Sequence, residues 1–184
     1  MHRESLPADQ HEPLLASILD WTGRLAASAA GGGPDGIVVR KLFVAVAGLA
    51  IRLSSPDAFG QPLSTVFDLL ARAGGEATRP LALEFAKILP EEVARSGLLG
   101  PRKRALADVL RREEPVVCAR VGESVGRWQA GARGDVQEAE LVEGLNCLEA
   151  WIAAGALSAE FVSSHLSSTP VPLQPTDPPH LPLP

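Results

Sequence analysis

Apolar side chains recur every three or four residues along the first part of the chain, the spacing of helices that bury one side. Leu14, Ile18, Trp21 and Leu25 fall at steps of four, three and four, which predicts an amphipathic helix over Glu12–Ser28. Gly31-Gly32-Gly33-Pro34-Asp35-Gly36 breaks it. The next segment, Ile37 to about Ser54, is apolar nearly all round, with Leu42, Val46, Leu49 and Leu53 down one side. Such a helix has to be covered on more than one face. Ser54-Ser55-Pro56-Asp57 reads as a turn, and Pro62–Ala73 is amphipathic again through Val66, Leu69 and Leu70, ending at Gly74-Gly75. Pro80–Leu89 carries Leu81, Phe85, Ile88 and Leu89 on one face and then meets Pro90. Proline inside a helix costs roughly 3 kcal/mol, so Pro90 is expected to terminate this helix and leave Glu91 and Glu92 in a wet connection.

The pattern resumes after Gly97–Gly100. Pro101 suits a first helical position, and Leu106, Val109 and Leu110 form a short stripe. Pro115 is expected to open a second helix, through Trp128, with Val117, Val121 and Val125 inward. Past Gly131–Gly134, Asp135 is the expected N-cap of a helix to Ala154, with Glu138 completing a capping box. Leu141, Leu145, Leu148 and Ile152 fall within a narrow arc of that helix, and Glu140, Glu143 and Asn146 on the other side. Gly155-Ala156-Leu157 ends it, with one or two further turns expected over Ser158–Leu166.

No strand-like alternation occurs, so the expected class is all-α. Pairs of helices with a Gly- or Pro-marked break recur at roughly 40 residues, the period of a helical-hairpin solenoid of the HEAT or armadillo kind. An ordinary all-α bundle is the other architecture this periodicity allows. The expected organisation is a flexible N-terminus over 1–11, three to four hairpins over 12–166, and a disordered tail over 167–184. Seven of the chain's 16 prolines lie in that tail, which denies helix and favours extended conformations.

Composition agrees with helices packed on helices. Of the 184 residues 46% are hydrophobic, only 4% are aromatic and none is tyrosine, a balance that disfavours a β-sandwich. The formal charge of −5 argues against nucleic acid as a direct partner. The longest apolar run, Leu42–Ile51, is flanked by charges and falls well short of the roughly 20 residues a membrane span needs. No apolar leader segment follows Met1, so no signal peptide is expected. Cys118 and Cys147 lie inside helical apolar patterns and read as small hydrophobes in a reducing compartment.

The chemistry-bearing residues do not converge. His2, His11, His165 and His180 are scattered, with no cysteine or carboxylate partner at ligand spacing. The Gly31–Gly36 run follows a helix and lacks the lysine of a phosphate loop, and no nucleophile elbow occurs. Pro101-Arg102-Lys103-Arg104 looks like a short nuclear localisation signal, but such four-residue clusters are common and it is better read as a solvated basic first turn. Neither a catalytic, a metal nor a cofactor site is expected.

Three segments carry a resemblance. Leu89-Pro90-Glu91-Glu92-Val93, followed by a short loop and the basic helix start PRKRALADVL (101–110), is similar to the transportin-3 and importin-13 branch of the importin-β superfamily. VVRKLFVAVAGLAIRL (38–53) resembles an apolar helix of the family's exportin-1/importin-β-like region. LNCLEAWIAAGALSAEF (145–161) resembles a helix and turn of that region, including the Cys-Leu-x-x-Trp spacing of Cys147, Leu148 and Trp151. The segments fall in the family's order, over about Leu6 to His165.

The resemblance implies a right-handed stack of HEAT repeats and a fragment of a nuclear transport receptor. Such a receptor is not an enzyme. It shuttles between nucleus and cytoplasm, importing cargo proteins (Ser/Arg-rich ones among them) and binding Ran GTPase and nucleoporins. With Asp135–Ala154 as the second helix of its hairpin, Glu140, Glu143 and Asn146 are the candidates for the concave, partner-binding face. The alternative is a stand-alone helical-repeat adaptor that recruits partners through its proline-rich tail.

Overall fold

The computed structural model describes residues 10–29, 35–52 and 61–158. Among these the regular elements are all helical: α1 (His11–Ala29), α2 (Asp35–Arg52), α3 (Pro62–Gly74), a 3-10 turn (Gly75–Thr78), α4 (Arg79–Arg95), α5 (Gly100–Gln129) and α6 (Asp135–Ala153). Of the expected flexible N-terminus (1–11), residues 1–9 lie outside the described residues and His11 already belongs to α1; the turn at Ser54–Asp57, the turns beyond Ser158 and the 167–184 tail also lie outside them.

Helix starts and stops follow local chemistry. Pro62, Pro80 and Pro101 each occupy the first turn of their helices, where a missing N–H costs nothing. Gly75 takes a positive φ of 56° after α3, a conformation that side chains with a Cβ disfavour. The buried Thr78 then ties the turn back, its hydroxyl 2.7 Å from the Leu70 carbonyl. At the start of α6 the N-cap is Gly134, with no side-chain cap. The expected capping box is therefore not formed: Asp135 and Glu138 sit in the first turn, where their charge favours the helix dipole.

One apolar cluster draws on all six helices, among them Ile18, Phe43, Leu70, Phe85, Val117 and Trp151. The Phe43 and Phe85 rings meet at 5.4 Å in a tilted arrangement, the geometry aromatic pairs prefer. α4 is the hub. It packs against α2, α3, α5 and most extensively α6, while α1 lies against α2 and α3, and α5 against α6 and α3.

Two expected helix boundaries are corrected. Pro90 does not terminate α4, which continues to Arg95, and Pro115 does not open a helix but lies midway along the 30-residue α5. A proline at position i deprives the carbonyl of residue i−4 of its donor. For Pro115 that carbonyl belongs to Arg111, and both residues are exposed, so water can serve it. For Pro90 it belongs to Ala86, in the core. There the indole Nε1–H of the fully buried Trp151 donates to the Ala86 carbonyl at 2.9 Å. A side chain of α6 thus completes the hydrogen bonding of α4.

A second such substitution crosses from α5 to α3. The start of α3 has no side-chain cap of its own; Glu113 of α5, only 3% exposed, hydrogen-bonds the Leu63 backbone N–H. Burial pushes the Glu113 carboxyl above the ordinary glutamate range, while the Leu63 amide and Arg112 pull it down less strongly. Its Oε2 has no hydrogen-bond partner among the described residues.

Two outcomes are expected. Trp151→Phe lowers stability by about 1–3 kcal/mol, the range for stranding a buried acceptor. Most of that loss disappears in a Pro90→Ala background, where residue 90 regains its N–H; additive losses in a denaturation cycle would refute the link. The raised Glu113 carboxyl holds its proton more tightly folded than unfolded, so its contribution falls as pH rises from the usual value of 4.5 through the raised one. Glu113→Gln is expected to gain stability relative to wild type across that window and to keep the gain at pH 7, read from urea midpoints against pH.

Candidate functional site

The seam between α4 and α6 opens on one side into a groove of about 500 Å³. α4 is buried nearly all round, through Leu83, Phe85, Ala86, Ile88, Leu89 and Pro90. Its remaining strip, Glu84, Lys87, Glu91, Ala94 and Arg95, recurs at helical spacing and faces away from the core. Across from it α6 contributes Asn146, Glu149, Ala150, Ala153 and Ala154, and Arg40 of α2 reaches in from the far side. Alanines keep the floor shallow and leave the rim to charged groups.

The rim is a chain of ion pairs linking three helices. Arg40 lies 3.4 Å from Glu84, and Lys87 Nζ donates to Glu143 Oε2 at 2.7 Å. Arg95 is held by Glu91 at 3.0 Å and by Glu92 at 2.8 Å. Burial pushes the Glu84 carboxyl up, and so does Glu143, whereas Arg40 and Lys87 pull it down. Every cation of the groove therefore already has a carboxylate. Among the described residues Glu149 and Asn146 make no such pair, so the groove's uncommitted groups are a carboxylate and an amide. A cationic side chain whose aliphatic stem lies over the alanines satisfies both features.

The three sequence-predicted site residues separate. Asn146 is in the groove. Glu143 stands at its edge, bound to Lys87. Glu140 is not on a solvent face at all: it is 2% exposed and pairs with Arg127 and with the Ser124 hydroxyl of α5 at 3.0 Å. The helix is turned by about a quarter of a revolution from the expected orientation. Gly144, Cys147 and Trp151 are buried with Glu140, and two of the four leucine-type residues expected inside, Leu145 and Ile152, are 56% and 57% exposed. The Trp151–Ala86 bond and the Glu140–Arg127 pair fix this rotation in preference to the leucines.

Sequence reasoning missed Arg40, Lys87, Glu91 and Glu149 as groove residues. The signal was the polar series Glu84, Lys87, Glu91 and Arg95, which forms a single strip only once α4 continues past Pro90.

Among the described residues the groove's lining contains no cysteine, serine or threonine. Both cysteines are buried and unpaired, and burial pushes each thiol up to about 12. Among the described residues no group of three or more His, Cys, Asp and Glu could hold a metal ion, and no helix is long and apolar enough to cross a membrane.

Glu140→Leu is expected to destabilise the fold by about 1–3 kcal/mol, because it leaves the largely buried Arg127 with only the more distant Glu123, at 3.9 Å. Adding Arg127→Leu is expected to recover most of that loss in chemical denaturation. Compared with protein-family models, with curated proteins and with solved structures, the chain matches none.

Proposed function

We infer that this chain is a helical interaction scaffold in which α1/α2, α3/α4 and α5/α6 are hairpins stacked side by side. Its second helices, α2, α4 and α6, form the row that receives a partner. The observation that carries this reading is the pattern of helix neighbours: α2, α4 and α6 pack in sequence through α4, and α1, α3 and α5 meet in sequence through α3. A bundle around one centre would bring first and last helices together, and neither α1 with α5 nor α2 with α6 shares a substantial interface. Stacking of this kind, with a groove along one row, is how helical-repeat proteins present extended binding surfaces.

The groove selects the partner's chemistry. With Arg40, Lys87 and Arg95 neutralised and Glu149 and Asn146 uncommitted, a basic, extended segment of another protein fits it better than an acidic one. The ordered similarity of residues 38–53, 89–110 and 145–161 to nuclear transport receptors supports a more specific role. On that reading the chain is an importin-type fragment that carries basic cargo proteins and binds Ran GTPase and nucleoporins, moving between cytoplasm and nucleus.

The test is a fluorescence titration with an Arg/Lys-rich peptide and a Glu-rich control of equal length. Saturable binding of the basic peptide alone is expected, weakened several-fold between about 50 and 200 mM salt. Asn146→Lys is expected to weaken it about tenfold, the effect of roughly 1.4 kcal/mol. Equal affinity for the two peptides, or none for either, refutes the reading.

A further inference from the structure

The outer faces of α2 and α6 carry matching patterns that nothing within the described residues covers. On α6, Val142, Leu145 and Ile152 are exposed on the side opposite Glu140, Gly144, Cys147 and Trp151. Glu138 and Glu149 share that side, eleven residues apart. On α2, Ile37, Val38 and Val44 are exposed on the side opposite Val39, Phe43, Val46 and Ala50. Lys41 and Arg52 share that side, also eleven residues apart. Eleven residues are close to three helical turns, so in each helix the two charges stand in line about 16 Å apart. Apolar residues lie between them on α6 and beside them on α2. None of these four side chains has a hydrogen bond or ion pair among the described residues.

The two faces are acidic-apolar and basic-apolar versions of one spacing. When they are laid together, Glu138 and Glu149 meet Lys41 and Arg52 whichever way the helices run. The leucine and valine side chains come between the two charge pairs. Gly48 lies on the same side of α2, and no atom approaches the position its Cβ would occupy. It leaves a hollow one turn from Val44 that a leucine can enter.

Pairing a face with itself brings like charges together: glutamate on glutamate for α6, lysine and arginine on each other for α2. Charge therefore selects a contact between unlike faces of two copies. α2 and α6 each pack on α4 and share no substantial interface with one another, so such a contact prolongs the row they form.

We propose that the chain associates head to tail, the Glu138–Val142–Leu145–Glu149–Ile152 face of α6 docking on the Ile37–Lys41–Val44–Arg52 face of α2 in a second copy. The proposal uses the helix order described above; Glu149 serves both this face and the groove, whereas Asn146 belongs to the groove alone. One helix face buries less than the roughly 1,000 Å² of a stable interface, so the association is weak, dependent on concentration and sensitive to salt.

Sedimentation velocity on the full chain tests it, with circular dichroism confirming that every variant is folded. The wild type is expected to gain mass above about 0.1 mM and to lose the gain in high salt. Glu138→Lys/Glu149→Lys and Lys41→Glu/Arg52→Glu are each expected to remain monomeric alone. Mixed in equal amounts they are expected to associate again, because each supplies the face that complements the other. Asn146→Lys is expected to self-associate like the wild type while binding the basic peptide about tenfold more weakly, which separates this contact from the groove. A wild type that is monomeric throughout overturns the proposal, as does association that survives both charge reversals or a mixture that stays monomeric.

Discussion

One carbonyl group sets the arrangement of this protein's central helices. Pro90 cannot donate to Ala86 as an ordinary residue would, and a buried carbonyl left without a donor costs about 1–3 kcal/mol. The indole of Trp151 supplies the missing donor from another helix at 2.9 Å. That bond fixes α6 against α4 in both height and rotation. A proline that would destabilise an isolated helix is retained because the defect it creates is used as a point of attachment. Pro115 shows the contrast: its deprived carbonyl lies on the exposed side of α5, where no neighbouring helix is called on to help.

Rotation of α6 decides which of its residues are available to a partner. With Trp151, Cys147 and Gly144 turned inward, Glu140 is carried into the core, where Arg127 and Ser124 receive it. Asn146 and Glu149 come round to face the polar strip of α4. Leu145 and Ile152 are left on its outer side. The same rotation thus produces a groove with uncommitted acidic and amide groups and, next to it, an apolar strip. Both follow from satisfying one backbone acceptor and one buried ion pair.

Much of the helical layout was legible from the sequence. The periods in Glu12–Ser28 and Pro62–Ala73, and the glycine breaks at Gly74-Gly75, Gly97–Gly100 and Gly131–Gly134, place helix ends within a few residues of those observed. Failures came where a local rule was outweighed by a distant residue. Pro90 reads as a stop because its cost is local, whereas its remedy, Trp151, is 61 residues further along the chain. Asp135 reads as a cap, but the backbone at Gly134 takes that place with φ at 152°. The inward face of α6 was misjudged because two candidate faces exist, one lined by leucines and the other by Gly144, Cys147 and Trp151. Hydrophobicity favours the first; only the contacts of α4 and α5 reveal the second. Of the candidate site, Asn146 and the edge residue Glu143 were foreseen. The rest depends on α2, α4 and α6 lying side by side, a juxtaposition that no single helix encodes.

Cys147 lies in the α4–α6 seam and Cys118 on the inward side of α5, both closed to solvent and with thiols far from ionisation at neutral pH. The ionised sulfur is the nucleophile that attacks thiol reagents, so both positions stay silent for as long as the helices stay shut. Each reacts only when its own surroundings part, which makes the pair a natural gauge of how the molecule comes undone. Unequal labelling rates would mean that α6 peels away by itself; matched rates would mean that the structure opens as one unit.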